Sequence, residues 1–200
     1  MKMDIEEIRE SLKKELKKSR YIHTLGVMDT AVHLAKIHGG DVEKARYAGL
    51  LHDCAKCLTD DEKVDLCRER GIEISKAEAG NPALLHAKCG AVLAKERYGV
   101  EDKEILHAIR FHTTGCPDMT LLDKIIYIAD YIEPNRDQAP HLAELRALAE
   151  TDLEETLYRI LKDTVDYLLV QNPDNMDEIT LKTYQYYKKE RARKKGFEYD

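Results

Sequence analysis

The sequence predicts an all-α fold, on three observations. Apolar residues recur along most of the chain at the three- and four-residue spacing of a helix face. The segments with this spacing begin at capping residues and end at glycines, as helices do. No segment alternates apolar and polar residues in the manner of a strand, and the chain has no internal repeat, GxGxxG motif or P-loop.

Composition limits the class of protein. The 200 residues suffice for one domain with a sizeable core. We expect a single domain over 1–200, with an N-terminal helix at about 4–18 and a C-terminal helical extension at about 174–200. The net charge of −6 argues against attraction to nucleic acid or to an anionic membrane.

Two further features of the sequence bear on where the protein is expected in the cell. Residues 1–8 are too charged for a signal peptide, and no apolar run approaches the ~20 residues of a membrane-spanning helix. The five cysteines are an odd number without secretory context, which favours free thiols in a reducing cytoplasm. Cys54-x-x-Cys57 resembles half of a zinc or redox motif, but no second cysteine pair completes it.

The first three helices have recognisable ends. A thin apolar stripe marks residues 4–18, and a broader one marks 20–38, which Gly39 ends. Asp41 is the predicted N-cap of a third helix, which leads to His52.

The next two helices lie on either side of a polar segment. Residues 59–62, TDDE, form a capping-box signature for a short helix that Gly71 ends. Residues 75–81 are polar and are expected to form a connection. Pro82 then reads as the first-turn residue of a helix that ends at Gly99.

The second half of the chain is helical as well. A helix over 102–111 delivers His112 at its end, and the most apolar helix, 121–132, is expected to be central. Beyond it the sequence predicts a helix at 141–149, a capping box from Thr151 to Glu154 that opens a helix to about 170, a polar break at 173–177 and a terminal helix at 179–193.

The stretch His52-Asp53-x-x-Lys56 carries the first chemical signal. A histidine supplies a directional nitrogen ligand, and a carboxylate can bridge two cations with its two oxygens. Lys56 lies three residues after Asp53 and can reach the same site on a helical turn. Such dipeptides also arise by chance, and the two side chains of a buried His-Asp pair can simply hydrogen-bond to each other without a metal.

Four further residues extend this signal, because each is on or at the end of a different predicted helix. His23 is in the first turns of one helix, with Arg20 three residues before it. His86 lies near the start of another, and His112 at the end of a third. Asp130 interrupts the most apolar helix, where a buried carboxylate needs a counter-charge or a cation. Ligands that converge in a helical bundle come from separate helices in this way.

The ordered ligand set resembles that of the HD-domain metal-dependent phosphohydrolases. Within that superfamily the chain is most similar to the YqeK family, and the resemblance covers about residues 20–170. The motifs that carry it are Arg20-x-x-His23, His52-Asp53-x-x-Lys56, HTTG at 112–115 and LDKIIYIADYIEPNR at 122–136. Thr180 also fits the ending of that family.

This resemblance implies an HD-domain helical bundle with the metal site in its core. It further implies symmetrical bis(5′-nucleosyl)-tetraphosphatase activity, in which diadenosine tetraphosphate is hydrolysed to two ADP at an iron site of one or two ions. The first metal is assigned to His23, His52, Asp53 and Asp130. His86 and His112 are expected to hold a second metal or to bind substrate phosphate.

Catalytic and substrate-binding roles follow from the positions of the motifs. Asp53 and Lys56 are the expected catalytic residues, and Lys56 would neutralise charge on the phosphoryl oxygens. The expected substrate contacts are Arg20, Lys56, Thr113, Glu133, Arg136 and Thr180. The expected partners are a dinucleoside polyphosphate and its ADP product, without nucleic acid or membrane, and the tyrosine-rich C-terminal helix allows a homodimer.

Several alternatives stay open at this point. A set of His and Asp ligands without thiolate suits iron, manganese or zinc better than calcium. The ligand set is shared across the superfamily, so the substrate could instead be a nucleoside monophosphate or triphosphate, or a cyclic or alarmone nucleotide. A third interpretation is a non-catalytic nucleotide-binding regulator, which the complete ligand set and Lys56 disfavour.

Overall fold

The computed structural model describes residues 3–171 and 176–196, and every regular element in that part of the chain is a helix. The prediction of an all-α fold is confirmed. The α-helices in chain order are α1 (Ile5–Glu15), α2 (Lys18–His38), α3 (Val42–Leu51), α4 (Asp60–Glu69), α5 (Lys76–Gly80), α6 (His86–Glu96), α7 (Lys103–Phe111), α8 (Leu121–Ile132), α9 (Leu142–Ala149), α10 (Leu153–Gln171) and α11 (Glu178–Lys194).

Helix α8 runs through the centre of the bundle, as its apolar composition predicts. Helices α2, α3, α7 and α10 pack around it. Ile125, Ile126 and Ile128 of α8 are fully buried, and the transfer of such side chains from water contributes about 2 kcal/mol each. Since α2, α3, α7 and α8 pack together, the side chains on their inner faces meet in one region.

Helices α2 and α3 approach each other at backbone contact distance. A methyl group placed on Gly49 of α3 would lie 2.9 Å from the Cα atom of Met28 of α2. The absent side chain therefore permits this approach. It brings the end of α3, where His52 lies, next to α2.

Most predicted helix ends are confirmed. Gly39 follows α2 in the left-handed conformation, with φ of 71°, which glycine adopts without steric cost. The Asp41 carboxylate accepts the N–H groups of Glu43 and Lys44 at the start of α3. Thr59 forms the predicted capping box at the start of α4.

The predicted helix over 4–18 is shorter than expected. Helix α1 ends at Glu15, because Leu16 adopts an extended conformation with its side chain buried, and α2 begins at Lys18. The helical spacing of apolar residues continues across residues 16 and 17, so the sequence pattern gives no sign that the helix ends there.

The prediction of a polar connection over 75–81 is wrong. The Ser75 hydroxyl accepts the Glu78 N–H and the Glu78 carboxylate accepts the Ser75 N–H, and this capping box starts helix α5. Pro82 opens a 3₁₀ turn, Pro82–Leu85, and α6 begins only at His86.

The predicted capping box at Thr151 is also wrong. Asp152 caps α10 instead, because its carboxylate accepts the Glu155 N–H at 2.9 Å. The Thr151 hydroxyl donates backwards to the Leu148 carbonyl at 3.4 Å. Either residue type is a good cap, and the backbone conformation after α9 decides between them.

Helix α11 packs along α10. The rings of Tyr158 and Tyr184 stack with centroids 6.1 Å apart, and the Tyr187 hydroxyl accepts the Met119 N–H at 2.8 Å. Most of the predicted break at 173–177 lies outside the described residues, and the predicted extension from about 174 to 200 is described only over 176–196. None of the helices described here combines the length and apolarity that a membrane crossing needs.

Candidate metal centre and adjoining cavities

The six predicted ligands converge at the centre of the bundle. The Nε2 atom of His23 lies 3.0 Å from an oxygen of Asp130. One oxygen of Asp53 lies 3.3 Å from His86 Nε2 and 3.6 Å from His112 Nε2. Its other oxygen lies 3.5 Å from His52 Nε2 and 3.8 Å from His23 Nε2.

Three of these imidazoles are oriented by backbone carbonyls three residues earlier. The Nδ1 atoms of His52, His86 and His112 lie 2.7, 2.8 and 2.7 Å from the carbonyl oxygens of Gly49, Ala83 and Ile109. A carbonyl oxygen only accepts, so each Nδ1 carries the proton and each Nε2 presents a lone pair. His52 and His112 can do this because they directly follow α3 and α7, whose last carbonyls lack helical partners.

His23 is oriented by a carboxylate instead of a carbonyl. Its Nδ1 donates to Oε1 of Glu133 at 3.1 Å, and Glu133 is buried. The same carboxylate accepts the Asn135 N–H at 2.7 Å. Burial alone would lower the pKa of His23, but Asp130 and Glu133 outweigh it and the pKa is raised. All four imidazoles direct Nε2 toward the centre, and in His23 this nitrogen carries a proton that it donates to Asp130 and would give up to a bound cation.

This arrangement tests whether a cation fits the site. The Nε2 atoms of His86 and His112 are 3.1 Å apart, and those of His23 and His52 are 3.3 Å apart. The lone pairs of His86 and His112 repel each other at this distance, and a cation between them would remove the repulsion. Neutral imidazoles with Nδ1 held by an outer acceptor are the form that metal ions bind. The donor set therefore fits a metal ion.

Both carboxylates at the centre are strong anions. Burial alone would raise the pKa of Asp53, but the neighbouring imidazoles, His52 first, hold it well below its usual value. The pKa of Asp130 is also lowered, because the effect of burial is outweighed by a hydrogen bond from His23. Arg20 donates to Asp53 at 2.8 Å and Arg136 to Asp130 at 3.0 Å. The centre thus has two ionised carboxylates with cationic residues at its edge.

Lys56 and Thr113 border the same centre. Lys56 lies in the 3₁₀ turn Cys54–Cys57 that follows Asp53. Burial lowers its pKa, and the Asp53 carboxylate offsets part of that effect. The Thr113 hydroxyl is 3.2 Å from His86 Nε2 and 3.1 Å from His112 Nε2. Both side chains can reach a group bound at the imidazoles.

Two cavities adjoin the centre, and Arg136 and Gln138 line both of them. The inner cavity has a volume of about 440 Å³. Its walls include Thr113 and Thr180, which the sequence assigned to substrate, and two tyrosines, Tyr131 and Tyr167, which it did not. The outer groove, of about 400 Å³, includes Arg20, His23 and Glu133. The structure thus gathers the predicted substrate residues around the centre.

Sequence analysis missed two features of this site. Glu133, expected to contact substrate, uses its carboxylate to accept from His23 and Asn135, so it orients a candidate ligand. The position of Gly26, in the middle of α2, was the available signal, because an interior helix glycine often marks a close approach. The tyrosines of the inner cavity gave no signal, since aromatic residues in apolar helices usually belong to the core.

Residues 20–135 match the HD domain family, and this segment contains all six convergent ligands. The chain belongs to the HD-domain family. HD domains are metal-dependent phosphohydrolases, which agrees with the groups His23, His52, Asp130 and His52, Asp53, His112, each of which could hold a metal ion.

The sequences of several relatives match this chain over most of its length. The symmetrical bis(5′-nucleosyl)-tetraphosphatase of Halalkalibacterium halodurans is 46% identical over 86% of this chain and 91% of its own. The protein of the same name from Bacillus subtilis is 45% identical over 85% and 90%. A crystal structure of a predicted HD superfamily hydrolase from Clostridium acetobutylicum superimposes with a TM-score of 0.90 at 41% identity, covering 95% of this chain and all of the other.

Proposed function

We propose that this HD domain hydrolyses a dinucleoside tetraphosphate, diadenosine tetraphosphate in particular, symmetrically to two nucleoside diphosphates. The observation that carries the proposal is the convergence of four imidazole Nε2 atoms and two carboxylates beside a cavity of about 440 Å³. The names of the relatives from two organisms, which match over most of both chains, supply the substrate class.

A pair of cations fits the geometry of Asp53. One of its oxygens faces His23 and His52, and the other faces His86 and His112. We propose iron in these positions, with manganese or zinc as alternatives, because nitrogen and oxygen donors without thiolate suit all three. The metal supplies positive charge to the phosphates and acidity to the attacking water.

The residues of the chain then act on the phosphates and on one another. In the reaction, water oxygen bonds to one of the two central phosphorus atoms, and the oxygen that bridges them leaves with the other half. Lys56 neutralises charge on the attacked phosphoryl group, and Thr113 donates a hydrogen bond to it. Arg136 binds the phosphate chain from its position between the two cavities, and Arg20 binds it from the outer groove.

The inner cavity provides for a nucleoside. Its tyrosine rings offer faces on which a base can stack, a contact worth about 1–3 kcal/mol per base. Thr180 and Asp163 add polar groups for the sugar or the base. Cavities with apolar walls and a few polar groups are the usual form of small-molecule sites.

The proposal is tested on protein purified without oxygen. Metal content is measured by mass spectrometry, and products are identified after incubation with diadenosine tetraphosphate. We expect about one or two iron atoms per chain and ADP as the sole product. The Asp53→Ala variant should lose both the metal and the activity, whereas Asp29→Ala, an exposed carboxylate on α2, should keep both.

Other outcomes identify other functions. A metal-replete protein that leaves the dinucleotide intact but hydrolyses simple nucleotides is a different HD phosphohydrolase. Tight nucleotide binding without any product indicates a regulator. Hydrolysis that survives in Asp53→Ala contradicts the assignment of the site.

A further inference from the structure

The two cavities beside the metal centre offer different surroundings to the two halves of a symmetrical substrate. They meet at Arg136 and Gln138. A chain of phosphates held by Arg136 therefore has one end in the inner cavity and the other in the outer groove. The substrate has two identical halves, but the site does not.

The inner cavity is suited to a nucleoside. Its lining includes the rings of Tyr131 and Tyr167 and the side chain of Leu84. Only five of its eighteen lining residues are exposed. A base in this cavity can stack on the half-buried ring of Tyr131 or on the ring of Tyr167, which is 64% exposed, and loses part of its contact with water.

The outer groove is suited to phosphate rather than to a base. Among the residues that the structure describes there, none is Tyr, Phe or Trp, and five of the nine are exposed. Ile22, 43% exposed, is its one large aliphatic side chain. Arg20 and Arg136 supply positive charge, whereas Glu133 is already occupied by His23 and Asn135, and Asp137 is at the exposed edge.

We propose that the protein recognises only one nucleoside of its substrate and therefore also hydrolyses nucleoside 5′-tetraphosphates to a nucleoside diphosphate and pyrophosphate. This inference rests on the proposed function. The nucleoside occupies the inner cavity, and the two distal phosphates occupy the outer groove. The second nucleoside of a dinucleotide lies along the groove without a stacking partner and adds little to binding.

The reaction is the same one with a smaller leaving group. Water oxygen bonds to the second phosphorus from the nucleoside, and the bond from that phosphorus to the oxygen bridging to the third breaks. The bridging oxygen leaves with the distal phosphates as pyrophosphate, and the proton from water passes to solvent. In ¹⁸O-labelled water, the label enters the nucleoside diphosphate and not the pyrophosphate.

The experiment compares diadenosine tetraphosphate with adenosine 5′-tetraphosphate on metal-loaded enzyme. Loss of one stacked base typically costs about tenfold to a hundredfold in affinity, so an enzyme that stacks both bases should discriminate at least that strongly. We expect kcat/KM values for the two substrates within about tenfold of each other. We also expect ADP and pyrophosphate as the only products of the tetraphosphate.

A variant in the inner cavity sharpens the test. Tyr167→Ala should raise KM about tenfold for both substrates, leaving their kcat/KM ratio unchanged, because both place their single recognised nucleoside there. Leu169→Ala is the matched control, since it removes an exposed side chain from the same helix that does not line the cavity. A Tyr167→Ala effect on one substrate alone would contradict one-sided recognition.

The possible failures can be told apart. If the dinucleotide yields ADP but adenosine tetraphosphate has a kcat/KM more than about tenfold lower, or releases orthophosphate and ATP, the inference is overturned and the proposed function stands. If neither substrate reacts, the proposed function is wrong, and the inference falls with it.

Discussion

The carboxylate of Glu133 occupies the space above Gly26 in α2 that the side chain of any other residue would fill. A Cβ atom on Gly26 would lie 2.3 Å from Oε2 of Glu133. In that position, Oε1 of Glu133 accepts the Nδ1–H of His23 at 3.1 Å. A glycine on one helix and an acid at the end of another together orient a ligand of the centre.

This contact predicts that Gly26→Ala weakens metal binding although Gly26 touches no metal. The added methyl group displaces Glu133, and His23 loses the partner that holds its Nε2 toward the centre. The loss of such an outer partner typically lowers metal affinity about 10- to 100-fold. Glu133→Gln, which keeps the shape and removes the charge, should have a smaller effect in the same direction.

The measurement is a competition titration between the protein and a metal chelator. Asp29→Ala on the exposed face of α2 is the control and should leave the affinity unchanged. Wild-type affinity in Gly26→Ala would mean that Glu133 does not position His23.

Arg136 is predicted to be irreplaceable by lysine. Its Nε donates to the backbone carbonyl of Asp130 and its Nη2 to the carboxylate of Asp130, both at 3.0 Å. This planar fork also aims the guanidinium at both cavities, and an ammonium group cannot reproduce it. We expect kcat/KM for the dinucleotide to fall about 100-fold in Arg136→Ala. The fall in Arg136→Lys should be nearly as large.

Steady-state kinetics with measured metal content checks this expectation. Arg110→Lys, on an exposed position of α7, is the matched control. Full activity in Arg136→Lys would show that charge alone suffices at this position.

Gly49→Ala is predicted to destabilise the fold. The new methyl group would meet the backbone of Met28 at 2.9 Å, and backbone cannot move aside without separating α2 from α3. Overpacking of this kind costs about 1–3 kcal/mol, measurable as a lower midpoint of unfolding in urea. At Gly40 the nearest atom is a side-chain methyl of Ile125 at 3.1 Å, so Gly40→Ala should cost less. An equal cost for the two variants would contradict the distinction between backbone and side-chain neighbours.

Glu155 is predicted to make stability depend on pH in the acid range. Its carboxylate accepts two hydrogen bonds from the Arg191 guanidinium, at 2.6 and 2.8 Å, and one from Arg159 at 3.2 Å. The hydrogen bonds from Arg191, ahead of those from Arg159, lower the pKa of Glu155 from 4.5 to about 2 in the folded protein. The carboxylate therefore contributes its full stability above pH 4.5 and loses it as the pH falls toward 2.

The corresponding variant is Glu155→Gln. At pH 7 it should lower the free energy of unfolding by about 1–3 kcal/mol, the cost of losing hydrogen bonds to a charged group. Denaturant titrations should show the difference from wild type shrinking between pH 4.5 and pH 2. Glu178→Gln, whose carboxylate is 80% exposed beside Lys182, should show no such dependence. A difference that stays constant over this range would refute the assignment to Glu155.

Much of the fold could be predicted because helix boundaries are local. The caps at Asp41 and Thr59 and the stop at Gly39 depend on residues within four positions of one another. The errors arose where local signals compete, as at Thr151 and Asp152, or where a short polar helix has no apolar stripe, as over Lys76–Gly80.

The sequence by itself determined the chemistry of the centre, because only a few residue types can bind a cation in a helical core. His23, His52, Asp53, His86, His112 and Asp130 were predicted as ligands for that reason and from the family resemblance, and the structure brings all six together. Tertiary structure alone decided how they are oriented. The protonation of each imidazole depends on a carbonyl or carboxylate beside Nδ1, and the pairing of Glu133 with His23 joins residues 110 positions apart. The two unlike cavities likewise exist only where distant helices meet, since no local pattern specifies which side chains share a wall.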